Sequence, residues 1–516
     1  MAKNVMIIGA GAAGLTAAIS AARTGANVTV LEAQERPGRK LLVTGNGRCN
    51  LTNISENLAE QYRGSGAALA SKLLRQFDAK AALEFFHGLG LLTQEKNGYV
   101  YPYTAQASSV LDVLLAELRR LKVKLKFSQE ITEIIDFESA VGLQISSNGR
   151  NQEWSARRES NLQTAARFAV VTPTWTYQAD AVILACGSKA APSTGASGEG
   201  YLLAQALGHT IVDPRPALVP LTSHASFLNR AAGVRCRAGV TLLRKHFSEG
   251  DTAQNSSAAT DDHRGFGNRT LPHRKDTGPS QYEEIAQDIG ELQWTNYGVS
   301  GIVIFQLSRY IAGDADYSKS IVYKANKANI ANTENRTVKA ITANKAEYAL
   351  CIDFFPDYSE QYLKDLLTKR AAELPKEPVS VLLRGLLNEK LIPAVLEQAE
   401  NAPDSDIGRQ QEQAVKLPAV CKDLKQTDIT GICRSLKSFY LPVTGTKSFD
   451  QAQICAGGVD CREITDELES RLHSGLYFAG EMLDVDGPCG GYNLQWAWTS
   501  GYIAGASASR AAIARK

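Results

Sequence analysis

The sequence predicts an α/β protein with a doubly wound parallel sheet at its centre. Three stretches support this prediction: an apolar run followed by closely spaced glycines near the N-terminus, a second that ends in small residues near residue 185, and a third that ends in a glycine-rich turn near residue 480. Such runs are typical of strands buried on both faces of a parallel sheet. Because the first and third stretches lie near opposite ends of a chain of 516 residues, we expect both ends of the sequence to contribute to one sheet.

The composition is that of an ordinary globular protein with more than one domain. Lysine and arginine number 56, and aspartate and glutamate 54, so the formal net charge is +2. This balance leads us to expect neither nucleic acid nor an anionic membrane as a partner, and no apolar run reaches the roughly 20 residues of a membrane span.

The seven histidines form no ligand cluster, so we predict no metal. Nine scattered cysteines argue against a disulfide framework and favour a cytoplasmic location.

The first strand runs into a turn with the spacing of a dinucleotide-binding site. Gly9, Gly11 and Gly14 follow the apolar residues 5–8 in the pattern G-x-G-x-x-G, and an alanine-rich helix and a second strand come next. In this pattern the first glycine allows the tight turn, the second lets the backbone approach a pyrophosphate, and the third lets helix and strand pack closely. The amide groups at the helix N-terminus would face the phosphates. The predicted contacts are Gly9, Gly11, Ala12, Ala13 and Gly14.

An acidic residue ends the second strand. Glu32 follows residues 28–31 and stands 18 residues after Gly14, where a carboxylate can accept hydrogen bonds from a ribose diol. The same charge would repel a 2′-phosphate, so NADP is disfavoured at this site. With Ala33 beside it, Glu32 is expected at the adenosine end of a dinucleotide; the alternative is a glycine-rich turn in an unrelated α/β unit.

The segment after the second strand is rich in glycine, asparagine and cations, where a simple NAD dehydrogenase would usually continue into another βαβ unit. Arg39 and Lys40 would reach phosphate groups, and residues 46–50 would wrap around the ring end of a long ligand. A ligand of this length favours FAD over NAD, and a solvated polar loop is the alternative. The predicted contacts are Arg39, Lys40, Asn46, Gly47, Arg48, Cys49 and Asn50.

Cys49 raises the question of a redox-active thiol. Such a thiol would need a lowered pKa, which the neighbouring Arg48 could provide. A disulfide-exchanging flavoenzyme usually has two cysteines close in sequence, whereas the next one here is Cys186. We therefore favour the alternative that Cys49 packs as a small apolar residue in a tight turn.

A second buried strand, residues 181–184, ends in Ala185, Cys186 and Gly187. It resembles the strand and Ala-Thr-Gly turn of flavoproteins with two dinucleotide folds, with Cys186 in the place of threonine. By the same resemblance, the backbone of Ile131 would meet the adenine edge of the cofactor.

The glycines at 195, 198 and 200 could be mistaken for a second nucleotide loop. No strand leads directly into them, so we predict a helix over residues 199–207 near the flavin instead. No second complete glycine-rich unit with a terminal acid follows the first. NAD(P)H, if it is used, is therefore expected to dock only transiently.

The third marker is a strand over residues 475–478 that runs into Gly480 and Glu481. A carboxylate here can hold a ribityl hydroxyl. A helix that begins near Gly491 would direct the positive end of its dipole at the N1–O2 edge of a flavin, where negative charge develops on reduction. An unrelated strand–helix turn is the alternative. The predicted contacts are Gly480, Glu481, Asp486, Gly490, Gly491, Tyr492, Asn493 and Leu494.

Few side chains in this region are candidates for catalysis. Tyr492 and Asn493 occupy positions where a residue could touch the substrate, but each could instead cap the helix. Trp496 and Trp498 lie two residues apart and therefore face different sides of the helix, so core packing is the preferred interpretation.

These stretches together resemble the bacterial BaiN/aminoacetone-oxidase-type flavoproteins, a family of NAD(P)/FAD-dependent oxidoreductases. The specific matches are the stretch from Thr44 to Asn53 and the stretch from Ala479 to Gly487. Family members usually have Ser-Gly-Pro after a Tyr-Gly pair, whereas Gly301 here is followed by Ile302. The resemblance implies FAD, three domains and redox chemistry.

We expect domains that are inserted one into another, as insertion at surface loops permits. Residues 147–166 would form a polar hairpin, and residues 248–282 a solvated loop with few apolar residues. The predicted divisions are 1–190 and 471–516 for a Rossmann-type FAD-binding domain, 191–355 and 434–470 for an inserted β-rich domain, and 356–433 for a small helical domain.

The function predicted from the sequence is an FAD-dependent oxidoreductase. It would transfer hydride between the flavin and a small organic substrate, with NAD(P)H as a candidate electron donor. Two alternatives stay open: a flavoprotein that modifies RNA, against which the near-zero net charge counts, and a flavin-binding protein without turnover.

Overall fold

The computed structural model describes residues 2–138, 166–245, 282–313, 348–401 and 416–510. The chain divides into two compact units, Met1–Pro216 with Ala452–Lys516, and Ala217–Gln451. The predicted hairpin at 147–166 and loop at 248–282 lie outside the described residues except for Ala166 and Tyr282. The division into three domains stays a prediction.

The described residues form 20 strands and 12 α-helices. The strands are β1 (Asn4–Ile8), β2 (Asn27–Leu31), β3 (Thr52–Asn53), β4 (Thr93–Lys96), β5 (Tyr99–Pro102), β6 (Lys124–Lys126), β7 (Glu133–Asp136), β8 (Phe168–Val171), β9 (Thr176–Ala179), β10 (Ala181–Leu184), β11 (Ile211–Ala217), β12 (Leu221–Thr222), β13 (Arg235–Lys245), β14 (Tyr282–Thr295), β15 (Gly298–Ser300), β16 (Tyr348–Asp353), β17 (Phe439–Val443), β18 (Gly445–Thr446), β19 (Ile454–Val459) and β20 (Leu476–Phe478). The α-helices are Ala12–Arg23, Arg39–Val43, Ala67–Leu74, Ala79–Gly88, Ala107–Arg120, Glu199–Ala206, Leu228–Ala231, Ile302–Gly313, Glu360–Glu373, Ile392–Asn401, Gln426–Lys437 and Tyr492–Arg510.

The first unit is built on a five-stranded parallel sheet with the order β20-β10-β1-β2-β6. Every residue of β10 is buried, because the strand is covered on both faces. The sheet brings β20, from the end of the chain, beside β10 and β1. The doubly wound α/β fold is confirmed, as is the contribution of both chain ends to one sheet.

Smaller sheets surround this core in the first unit. β3, β5 and β4 form an antiparallel sheet that includes the end of the 44–53 segment, and β7, β8 and β9 form another. β6 and β7, which follow one another in the chain, therefore belong to different sheets.

The first helix, Ala12–Arg23, and the C-terminal helix, Tyr492–Arg510, pack with their backbones in close contact. A Cβ atom at Gly501 would lie 2.3 Å from the carbonyl oxygen of Ala13, and one at Gly505 would lie 2.2 Å from that of Ala17. The Ser20 hydroxyl donates to the carbonyl oxygen of Tyr502 at 2.7 Å. The glycines of the last helix therefore fix how it packs on the helix that follows the phosphate turn.

The second unit is a seven-stranded antiparallel sheet with the order β17-β16-β13-β14-β15-β12-β18. Its core contains a cluster of buried rings in which Trp294, Phe354 and Phe439 contact one another at centroid distances of 5.5 to 6.3 Å. The helices of residues 360–437 pack into this same core.

Within the described ranges, no helix is both long enough and apolar enough to cross a membrane.

Candidate functional site

The phosphate turn has two glycines required by packing and one that faces open space. Gly9 has φ +104°, and a Cβ atom there would lie 2.4 Å from the carbonyl oxygen of Ala185. A Cβ atom at Gly14 would lie 2.0 Å from the carbonyl oxygen of Gly9, but one at Gly11 would meet nothing within 4 Å. Gly11 is also the N-cap of the first helix. The amides of the first helical turn therefore have room in front of them for a pyrophosphate.

Glu32 lies at the carboxyl end of β2 with its side chain held in place. Its Oε2 accepts from the amide of Ala10 at 2.6 Å, and its Oε1 accepts from the amide of Gln34 at 2.9 Å. Each carboxylate oxygen can accept a further hydrogen bond, so both remain available to a ribose diol. Ala33, the next residue, is exposed. The backbone amide of Gln129 donates to the Glu32 carbonyl at 2.9 Å, and Ile131, two residues later, is half-buried.

The two cations expected at phosphate groups have protein partners here. Arg39 Nη2 donates to the carbonyl oxygen of Ser193 at 2.8 Å, and its Nη1 contacts Gln34. Lys40 Nζ lies 2.6 Å from Glu481 Oε2 in an ion pair. Arg39 is exposed, whereas the Lys40 and Glu481 side chains are both mostly covered.

Glu481 connects three segments of the first unit. Besides Lys40, its Oε2 accepts from the Ser188 hydroxyl at 2.7 Å, so the helix Arg39–Val43 and the turn after β10 meet at one carboxylate. Ala185 continues β10, with its amide donating to the Ile8 carbonyl at 2.9 Å, and Gly187 has φ +77°. Ser188 was not predicted from the sequence, although its position directly after the Ala-Cys-Gly turn was a usable signal.

The turn at 44–50 divides into an exposed tip and a buried end. Asn46, Gly47 and Arg48 are exposed, and Asn46 has φ +56°. Cys49 is fully buried, and burial raises the pKa of its thiol to about 12, while a hydrogen bond with Thr44 lowers it in part. Burial likewise raises the pKa of Cys186 to about 12. Both thiols are therefore protonated near neutral pH, which favours the interpretation that Cys49 is a packing residue.

Cys49→Ala should retain bound flavin and keep the rate of flavin reduction within a few-fold of the parent. The protonated, enclosed thiol offers no thiolate for catalysis, so only packing is lost. Flavin absorbance and stopped-flow reduction would measure both properties, with Cys433→Ala as a matched control, since that thiol is also buried and its pKa is also raised to about 12. A hundredfold slower reduction with flavin retained, about 2.7 kcal/mol of barrier, would give Cys49 a catalytic role.

The turn after β20 is held by the C-terminal helix. Gly480 donates its amide to the Ser500 hydroxyl at 2.8 Å and accepts from Trp496 Nε1 at 3.1 Å. Trp498 Nε1 donates to the carbonyl oxygen of Leu51 at 2.9 Å. Both tryptophans are buried, which confirms that they are core residues.

The loop that precedes the C-terminal helix is held by the carboxylate of Asp484 and by backbone hydrogen bonds of Asp486. Asp484 is buried, and its oxygens accept from the amides of Ser65 at 2.7 Å and Gly457 at 3.0 Å. Burial raises the pKa of Asp484. Asp486 is also buried and exchanges backbone hydrogen bonds with Arg63 at 2.9 and 3.2 Å.

The two candidate catalytic residues have partners in this loop region. The Asn493 amide accepts from the amide of Gly487 and donates to its carbonyl oxygen, both at 2.8 Å. The Tyr492 hydroxyl lies 3.0 Å from the Ser55 hydroxyl. Leu494, which follows Asn493, is half-buried. Asn493 thus ties the loop at Gly487 to the start of the helix, and whether either residue touches the substrate stays a prediction.

A parallel sheet built from both chain ends, an open phosphate turn and an acid at the end of the second strand define a Rossmann-type dinucleotide-binding protein. The family model of the HI0933-like protein Rossmann domain matches residues 3–507, and the chain belongs to that family.

Relatives of known activity match the chain over nearly its whole length. The 3-dehydro-bile acid delta(4,6)-reductase of Clostridium scindens is 36% identical over 512 residues, which are 98% of this chain and 99% of the relative. The ribosomal RNA dihydrouridine synthase of Haemophilus influenzae is 24% identical over 508 residues, 98% of each chain. Among solved structures, the 3-ketosteroid-delta4-(5alpha)-dehydrogenase of Rhodococcus jostii covers 98% of this chain and 97% of its own, with 13% identity and a TM-score of 0.42. The chain is a flavoprotein oxidoreductase, as the sequence predicted.

Proposed function

We propose that the chain binds FAD noncovalently and transfers hydride between the flavin and a small organic substrate, with NAD(P)H as the electron donor. The observation that carries this proposal is the convergence of residues from both chain ends, because Glu32 and the open turn at Gly11 lie on the sheet that also places Glu481. Such a span suits a ligand with an adenosine at one end and a redox ring at the other. FAD meets this requirement, whereas FMN lacks the adenosine.

The residues present fit FAD along its length. Gly11 and the first-turn amides would hold the pyrophosphate, and Glu32 the adenosine ribose. Glu481, kept in place by Lys40 and Ser188, would hold a ribityl hydroxyl. When bound, the flavin supplies a ring nitrogen that takes and gives hydride. The protein then has to orient the substrate and exclude water.

The surface beside this site supports an apolar substrate. Leu42, Val43 and Ile54 are exposed by 37%, 58% and 49%, and they flank the turn at 44–50. The three side chains adjoin this turn in the sequence, and exposed apolar surface beside a binding site commonly marks the surface that a ligand covers. A reductase of a bile acid is among the relatives. We therefore propose an apolar molecule with an alkene conjugated to a carbonyl group as substrate.

The balanced reaction defines the test. Hydride would go to one alkene carbon and a proton to its neighbour, and the two electrons would come from NAD(P)H. Under anaerobic conditions, NADH or NADPH should bleach the flavin band, and an apolar enone should restore it. Bleaching by neither nucleotide would reject the proposed donor, and a reduced flavin that no conjugated alkene reoxidises would reject the proposed reaction.

A substitution on the proposed substrate surface sharpens this test. Val43→Asp should raise KM for the enone about tenfold, since burying a valine side chain is worth roughly 1.5 kcal/mol. Leu472→Asp is the matched control, because Leu472 is 49% exposed in the first unit but precedes β20, away from the carboxyl ends of the strands. Equal KM values for both variants would place the substrate elsewhere.

A second candidate function is reduction of uridine in RNA. The ribosomal RNA dihydrouridine synthase that matches 98% of this chain favours it, and the uracil C5=C6 bond is also conjugated to a carbonyl group. Reoxidation of the flavin by a uridine-rich RNA, with no response to the free enone, would select this function. The binding of such an RNA should weaken steeply with salt.

A further inference from the structure

Residues Asn50–Ser55, which we call the helix socket, contact the start of the C-terminal helix almost residue by residue. Asn50, the first residue of the socket, is also the last residue of the segment expected to wrap around the flavin ring, and its side chain bonds to protein groups. In the amide orientation that satisfies its hydrogen bonds, Asn50 Oδ1 accepts from the amide of Gly491 at 3.3 Å. The other contacts are Trp498 Nε1 to the Leu51 carbonyl at 2.9 Å, Thr52 Oγ1 to Gln495 Oε1 at 2.6 Å, Asn53 Nδ2 to the Gly490 carbonyl at 3.1 Å, and Ser55 Oγ to the Tyr492 hydroxyl at 3.0 Å.

The two glycines that precede the C-terminal helix pack tightly against the socket and its neighbour Tyr99. Gly491 has φ +96°, and a Cβ atom there would lie 2.5 Å from the carbonyl carbon of Thr52. Gly490 has φ +115°, and its Cβ atom would lie 2.5 Å from a ring carbon of Tyr99. Since Asn50, Thr52 and Asn53 are all buried, a broken hydrogen bond here leaves a polar group without water, and the turn has little freedom to move.

Asn50 is the socket residue whose side chain bonds to the amide of Gly491, just before the C-terminal helix begins. In the same orientation its amide nitrogen donates to the carbonyl oxygens of Val100 at 3.1 Å and Thr52 at 3.0 Å. These bonds anchor Asn50 to β3 and β5, so its contact with Gly491 transmits the position of the small sheet to the helix N-terminus. Thr52 contacts the helix one turn later, at Gln495.

We infer that Asn50 is a positioning residue: it sets where the N-terminus of the C-terminal helix lies and, through the helix dipole, how strongly negative charge is stabilised on a bound flavin. This inference rests on the proposed function, because it requires FAD at the site. The positive end of a helix dipole acts strongly only within its first turn. A small displacement of residues 490–492 therefore changes the affinity for the reduced, anionic ring more than the affinity for the oxidised ring.

The test compares Asn50→Ala with Thr52→Val in the flavin-loaded protein. Asn50→Ala should lower the two-electron reduction potential of the flavin by about 30 mV, which corresponds to a tenfold loss of preference for the reduced form. It should also weaken formation of the flavin–sulfite adduct, which builds negative charge on the ring. Thr52→Val should lower the thermal midpoint but leave the potential and the sulfite affinity at the parent values.

A second variant and the flavin content keep the outcomes distinct. Asn53→Ala releases the other side of the same turn, at Gly490, and should shift the potential in the same direction as Asn50→Ala. Parent potentials in both variants, or loss of flavin from both, would overturn the inference, because Asn50 would then act only on stability. An equal shift in Thr52→Val would also overturn it, because the effect would then not be specific to the turn at residues 490–491. Absence of FAD from the parent protein would instead reject the proposed function.

Discussion

Glu32→Ala should weaken FAD binding ten- to hundredfold. The change removes a charged acceptor that is already oriented by the amides of Ala10 and Gln34 at 2.6 and 2.9 Å. A hydrogen bond to a charged group contributes about 1.5–3 kcal/mol, which corresponds to that range of affinity. Titration of the flavin-free protein with FAD, followed by fluorescence quenching, would give the dissociation constant.

Glu35→Ala is the control for this prediction. Glu35 carries the same charge three residues later and is exposed, so its loss should leave the dissociation constant within about twofold, as is usual for an exposed charge. If the Glu32 and Glu35 variants bind FAD equally well, the adenosine ribose lies elsewhere.

Gly501→Ala should destabilise the first unit by about 1–3 kcal/mol or more, the usual cost of forcing extra atoms into a packed core. Its Cβ atom would lie 2.3 Å from the carbonyl oxygen of Ala13, a backbone atom that can move only with the first helix. Because Ala13 is in the first turn behind the phosphate turn, FAD affinity should fall as well. Urea unfolding of the flavin-free protein and FAD titration would measure the two effects.

Gly88→Ala is the matched control for Gly501→Ala. Gly88 also lies in a helix, but a Cβ atom there would meet nothing within 4 Å. Alanine should therefore raise stability by roughly 0.5–1 kcal/mol through the smaller loss of backbone entropy. Equal unfolding midpoints for both variants would mean that the two helices do not cross as closely as described.

Local patterns in the sequence were sufficient to predict the parts of the fold with their own periodicity. The G-x-G-x-x-G turn, the buried strands at 181–184 and 476–478 and the helix after Gly491 all appear where the pattern put them. Each of these elements is defined by residues a few positions apart, so apolar runs and glycine spacing specify them directly.

The contacts inside the site could not be predicted in this way. Lys40 was expected at a phosphate and pairs with Glu481, and Thr52 bonds Gln495, a separation of 441 residues in one case and 443 in the other. No periodicity links residues so distant, because their proximity arises only when both chain ends join one sheet. Asn50 shows the consequence: its residue type suggested a ligand contact, and nothing local in the sequence indicated that its side chain bonds to the backbone of Thr52, Val100 and Gly491.

The most direct test of the central claim is to identify the molecule that the purified protein carries. Heat denaturation followed by chromatography of the released flavin measures both its identity and its amount. We predict FAD, released without covalent attachment, at about one molecule per chain, with no stoichiometric NAD(P). Release of FMN, or of NAD alone, would contradict a site that runs from Glu32 to Glu481.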